Sequence, residues 1–145
     1  MQDNIDILSA NLTDVDISRP MLAAGVVDLV VSEMKVEPNK TGDKQNLNIV
    51  FKTVNNERSV KGDTLNPGFT LFHTVSLTPT EKYTVDRIGQ SLKSIRVAAT
   101  GDTSGSFAPV DQYVGKVLTA KVYVEEDKNG VYPAQNRIKQ FVAKE

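Results

Sequence analysis

Cations and an aromatic ring recur at every second residue near the end of the chain. In the stretch VYPAQNRIKQFVAKE, steps of two from Arg137 reach Lys139 and Phe141. Residues spaced in this way share one face of a β-strand, because successive side chains point to opposite sides. Two cations beside a ring could hold a ligand that is both negatively charged and flat. The pattern is typical either of a solvated strand face or of a surface built for such a ligand.

The same residue types recur at outward positions of other predicted strands. Phe72 is the most telling, because it is a bulky ring between Thr70 and Thr74 on an otherwise polar face. Single-stranded nucleic acid is held by cations that follow its phosphates and by rings on which its bases stack. The predicted nucleic-acid-binding residues, with those of the loops that border the face, are Lys40, Lys44, Lys52, Phe72, Lys121, Tyr123, Lys128, Tyr132, Arg137, Lys139 and Phe141. The plainer alternative is that exposed cations occur on any soluble sheet and that Tyr132 belongs to the core.

Catalysis, metal binding and a glycine-rich phosphate-binding loop have little support in the sequence. The chain has no cysteine and one histidine, His73, which falls on the apolar face of a predicted strand. A packed histidine is therefore favoured over a catalytic one, and no second histidine or cysteine exists to complete a metal site. The glycine-containing stretch GDTSGS lacks the lysine and the following helix of a phosphate-binding loop. We expect no enzyme activity, no cofactor and no metal.

Length and composition favour one globular domain. At 145 residues, with 39% hydrophobic and 24% charged residues, the chain can bury a core without disulfides. No apolar run approaches the ~18 residues that a membrane-spanning helix needs. The acidic start and the absence of cysteine favour a cytoplasmic location over a secreted one. Residues 1–20 end at a proline and read as an acidic arm, and residues 21–145 as the domain.

Charge is distributed unevenly along the chain. Residues 1–34 carry six acidic residues against Arg19 alone, a balance of −5, whereas residues 35–62 carry a balance of +3. We expect the acidic arm to compete with an anionic ligand for the basic surface.

The predicted elements are three strands, a helix and two further strands. Strands are expected over 25–36, 46–54 and 69–77, where β-branched residues alternate with polar ones. Thr78, Pro79 and Glu81 resemble a helix start, and an apolar stripe follows at spacings of three and four: Val85, Ile88, Leu92, Ile95 and Ala99. The Asn129-Gly130 turn predicts a hairpin that joins the last two strands.

This order of elements favours a mostly β fold. Five strands with one helix between strands 3 and 4 is the order of the OB-fold, a five-stranded barrel. In that fold the ligand lies across strands 2 and 3, between the loops that join strands 1 to 2 and 4 to 5. An open α+β sheet or a sandwich is the alternative.

Several segments resemble a known family. The arm and first strand, IDILSANLTDVDISRPMLAAGVVDLVVSEMKV, and the later DRIGQSLKSI, YVGKVLTAKVYVEED and NRIKQFV are similar to bacteriophage-encoded single-stranded DNA-binding proteins. The resemblance implies an OB-fold protein that coats single-stranded DNA during phage replication or recombination, in the host cytoplasm. Partners would be that DNA and replication or recombination proteins. Many such proteins end in an acidic tail that recruits partners, whereas this chain ends in RIKQFVAKE.

Two other classes of function remain open at this point. In a structural or adaptor β-barrel of a virion, the exposed rings would form a protein interface and the arm an assembly strap. The overall acidity favours this alternative slightly, since DNA-binding proteins are commonly basic. An accessory to a nucleic-acid enzyme is the third class, and a homo-oligomer is compatible with each of them.

Overall fold

The computed structural model describes residues 11, 13, 20–126, 129 and 134–143. Its main body is a five-stranded antiparallel sheet with one helix, which confirms the predicted mostly β architecture. The elements are β1 (Gly25–Pro38), β2 (Gln45–Thr53), β3 (Glu57–Arg58), β4 (Thr64–Leu65), β5 (Thr70–Ser76), α1 (Val85–Thr100), β6 (Val117–Glu125) and β7 (Gln135–Val142). Apart from residues 11, 13 and 20, the predicted arm lies outside the described residues.

The sheet runs in the order β5-β2-β1-β6-β7 and is not closed into a barrel. Its two edge strands nevertheless curl toward each other, since the rings of His73 on β5 and Phe141 on β7 lie 5.2 Å apart. The expectation of a closed barrel is therefore wrong, and an open seam separates β5 from β7.

The position of the helix also differs from the prediction. A small hairpin, β3–β4, precedes it, so α1 falls between the fifth and sixth strands of the chain and not between the third and fourth. The helix begins at Val85, because the side chain of Thr84 accepts a hydrogen bond from the amide of Arg87 at 3.3 Å. The hydroxyl of Thr78, the expected cap, instead accepts from the amide of Gln45.

The core lies between the inner face of the sheet and α1. Side chains alternate along the strands as their sequence predicts, and the inner positions are buried: Val27, Leu29, Val31, Leu47, Ile49, Phe51, Leu71, Val75, Leu118, Ala120 and Val122. The predicted stripe of α1 faces them through Ile95 and Ala99, whereas Val85 at its start is 69% exposed. Leu22 closes one end of the core, where its backbone exchanges two hydrogen bonds with the Asn136 side chain.

Two β-bulges change which residues face outward. In β1 the extra residue is Ser32. In β7 it is Lys139, which has no partner in β6 because its two neighbours pair with the adjacent residues Lys121 and Val122. An extra residue in one strand reverses the alternation beyond it. Residues after Lys139 therefore face the side opposite to the one that simple counting predicts.

Within the described ranges, no helix is both long and apolar enough to span a membrane. The cytoplasmic location stays a prediction.

Candidate nucleic-acid interface

The outer face of β2 and β5 carries an exposed ring beside a cation. Phe72 is 64% exposed and pairs across the strands with Val50, while Lys52 pairs with Thr70. Lys52 and Phe72 are thus diagonal neighbours on the same face, within reach of one ligand. We call these two residues the Phe72 patch.

A second group lies on the outer face of β6 and β7. Tyr123 pairs with Arg137, and Lys121 lies on the same face of β6. Glu125 holds both members of the pair, since its carboxylate accepts from the Tyr123 hydroxyl at 3.2 Å and lies 3.9 Å from Arg137 Nε. Partial burial, and then this hydrogen bond and the charge of Glu125, raise the pKa of Tyr123. The charge of Arg137 is therefore partly neutralised within the protein.

Strand β1 separates the two groups on the outer face of the sheet. Its outward side carries Asp28, which accepts from the hydroxyl of Thr119 at 2.7 Å, and Glu33, which forms an ion pair with Lys35. The carboxylate of Asp28 disfavours a phosphate at this position, whereas the charge of Glu33 is partly neutralised by Lys35. The predicted residues do not form one continuous platform across this side of the sheet.

Phe141 does not belong to the outer face. The bulge at Lys139 places it opposite Ala120, on the inner side, and its ring lies 5.8 Å from that of Phe51. The predicted outward position of Phe141 is therefore wrong, and this ring is not available for stacking on the outer face.

The remaining predicted residues lie in loops. Lys40 and Lys44 are exposed in the turn between β1 and β2, which closes through a hydrogen bond from the amide of Asn39 to the carbonyl of Lys44. Asp43 lies between them, and hydrogen bonds from Thr41 and Asn39 lower its pKa. The carboxylate therefore stays charged and offsets one of the two lysines. Lys128 and Tyr132 lie outside the described residues.

A cleft of about 590 Å³ opens at the seam between the two edge strands. Residues 73–76 of β5 and 138–141 of β7 form its floor, and the α1 side contributes Tyr83, Arg87, Ile88, Gln90, Ser91 and Ser94. Of the predicted residues, the seam brings Lys139 and Phe141 together here. Tyr83, Arg87 and Gln90 were missed, because the expected helix start at Thr78 placed Tyr83 inside the helix and only the apolar stripe of that helix was given a role.

His73 lies on the floor of this cleft. Its ring meets that of Phe141 edge-on, and burial, followed by the positive charge of Arg137, lowers its pKa. The sequence favours a packed histidine here, because His73 falls on the apolar face of its strand. A neutral imidazole beside the ring of Phe141 agrees with that prediction. The described part of the chain contains no group of three or more histidine or acidic side chains that could hold a metal ion.

The chain matches no protein-family model, and no curated protein matches it either.

Proposed function

We propose that the protein binds single-stranded DNA with little sequence preference and protects it during phage replication or recombination. The exposed Phe72 beside Lys52 carries this proposal, because a ring and a cation on one open face suit unpaired bases and their phosphates. A buried role does not explain a phenylalanine that is 64% exposed.

The strand order supports an OB-fold that is open at one seam. The five sheet strands, counted in chain order, lie side by side as 3-2-1-4-5. The fourth therefore returns to lie beside the first, which is the Greek-key arrangement of this partly open barrel. In such folds the ligand crosses strands 2 and 3, which are β2 and β5 here, and these strands carry the Phe72 patch. The phage setting depends on the sequence resemblance.

The test is a titration of fluorescent oligothymidine and of a duplex of equal length. We expect clear preference for the single strand, because stacking needs unpaired bases and α1 lacks the basic face that could enter a major groove. Phe72→Ala should weaken oligothymidine binding by ~1–3 kcal/mol, and Phe72→Trp should retain it.

Equal affinity for duplex and single strand would exclude the proposed selectivity. If neither DNA binds, the exposed ring belongs to a protein interface instead, as in a virion adaptor.

A further inference from the structure

The cleft at the seam combines features that the open outer face lacks. Its lining comes from the edge strands β5 and β7 and from the α1 side, so a ligand inside it would contact three elements. No other strand in the described part of the chain pairs with β5 or β7 along these edges. Backbone groups at these edges therefore have no strand partner among the described residues.

The direction of these backbone groups follows from the β2–β5 ladder. The amide of Leu77 donates to the carbonyl of Gln45, and the carbonyl of Phe69 accepts from Thr53. Odd-numbered residues of β5 therefore bond to β2, and the even-numbered Thr74 and Ser76 turn their amides and carbonyls toward the seam. The floor of the cleft thus offers both hydrogen-bond donors and acceptors.

The charged residues that line the cleft within the described part of the chain are all basic. Arg87 and Lys139 line it, and none of the described aspartates or glutamates does. The guanidinium of Arg87 donates to the carbonyl of Lys82 at 3.1 Å, which fixes the arginine beside the loop that carries Tyr83. Lys139 is the bulged residue of β7. Such a lining favours an anion, and a guanidinium is well suited to phosphate.

The same cleft has an aromatic ring and two side-chain amides, which could bind the base of a nucleotide. Tyr83 lies at the cleft with 48% of its surface exposed, and Gln90 and Gln140 add side-chain amides that both donate and accept. A planar base with donors and acceptors on its edge could use all of these groups. A phosphate alone would leave the ring and the amides unused.

We propose that this cleft holds one nucleotide unit of the bound single strand, with its base among Tyr83, Gln90 and Gln140 and its phosphate at Arg87 and Lys139. The inference rests on the proposed function and adds a cleft site to it. Phe72 and the cleft residue Thr74 are successive outward positions of β5, about 7 Å apart at the rise of a strand. A base stacked on Phe72 and a nucleotide in the cleft can therefore belong to one continuous strand.

The first experiment uses small probes, so that it does not depend on binding of a long strand. Thymidine monophosphate, thymidine and inorganic phosphate are each titrated into the isotope-labelled protein, and amide signals are followed by NMR. We expect the monophosphate to shift the side-chain amides of Gln90 and Gln140 and the backbone of Tyr83 at millimolar concentration. Thymidine and phosphate should each do so more weakly. Lys139→Ala should weaken the monophosphate response several-fold.

The second experiment fills the cleft. Ser91 and Ser94 line it one helical turn apart, and the double variant Ser91→Leu with Ser94→Leu should occupy part of its volume. We expect oligothymidine affinity to fall about tenfold, as for loss of one favourable nucleotide contact. A matched control makes the same two exchanges at Ser104 and Ser106, exposed residues of the loop after α1 that do not line the cleft. Melting curves verify that both double variants fold.

The outcomes separate this inference from the proposed function. If oligothymidine binds and depends on Phe72, but the cleft-filling variant binds like its control and the monophosphate shifts no cleft amide, the cleft site is excluded and the function stands. If no oligonucleotide binds, the function fails, and the monophosphate titration still decides whether the cleft takes a nucleotide.

Discussion

Phe141 contributes to the core through two ring contacts, with Phe51 and with His73. Because the ring is only partly buried, we expect Phe141→Ala to lower the free energy of unfolding by about 3 kcal/mol, the low end for a phenylalanine truncation. Urea denaturation measures this loss.

Phe72→Ala is the matched control for that exchange, because it removes the same ring from an exposed position. Its unfolding free energy should change by less than about 0.5 kcal/mol. Equal losses of stability in the two variants would contradict the assignment of one ring to the core and the other to the surface.

His73 makes stability depend on pH in a definite direction. Burial and the charge of Arg137 lower its pKa in the folded protein below the ordinary 6.5, so the unfolded chain takes up a proton first. The stabilisation is complete above pH ~6.5 and is lost as the pH falls toward the folded pKa. We expect the urea midpoint to decrease between pH 7 and pH 5.5.

The variant His73→Leu tests the source of this dependence, because the chain has a single histidine. Its midpoint should change less over the same pH interval than that of the natural protein. An identical decrease in both would assign the effect to carboxylates.

At single positions, alternation predicted orientation well until a bulge intervened. Phe72 lies where its threonine neighbours indicate, whereas Phe141 lies on the opposite face because Lys139 is an extra residue. One signal was present in the sequence: Ile138 and Phe141 are apolar at a spacing of three, which strict alternation cannot place on one face.

Among the elements, α1 shows how several threonines compete to cap one helix. Thr78, Thr80 and Thr84 all precede it, and the Thr80 hydroxyl accepts from the amide of Tyr83 in a turn of its own. The apolar stripe was predictable because it follows the helical period. The first residue was not, because local hydrogen bonds within residues 78–84 decide it.

Thr84→Ala should destabilise the protein by ~1 kcal/mol, since the amide of Arg87 loses its acceptor at the helix start. Thr84→Ser keeps a hydroxyl and should restore most of that stability. Thermal melts compare the two variants, and equal melting temperatures would argue that Thr84 does not cap the helix.

At the scale of the whole molecule, the strand order brings distant segments together. Residues near 73 and near 141 meet only because the sheet curls, and α1 then covers the seam between them. The sequence pattern predicted five strands but not the open seam, because the pattern describes faces of strands and not which edges pair. The cleft was invisible in the sequence for the same reason.

The net charge of the chain does not decide how strongly it would bind DNA, because its basic residues are concentrated in particular segments. If the proposed function holds, oligothymidine affinity should fall as salt is added, with a log–log slope of about −0.7 for each phosphate neutralised.

Lys52→Ala and Lys139→Ala should each make that slope shallower by about this amount. Arg137→Ala should change it less, because Glu125 already lies 3.9 Å from its guanidinium. Lys93→Ala, an exposed cation on α1 outside the seam cleft, is the control and should leave the slope unchanged, because it belongs neither to the cleft nor to the Phe72 patch. Fluorescence titrations at several salt concentrations give the slopes. A flat response in the natural protein would rule out phosphate contacts, and equal effects of Lys52 and Lys93 would mean that no particular surface meets the DNA.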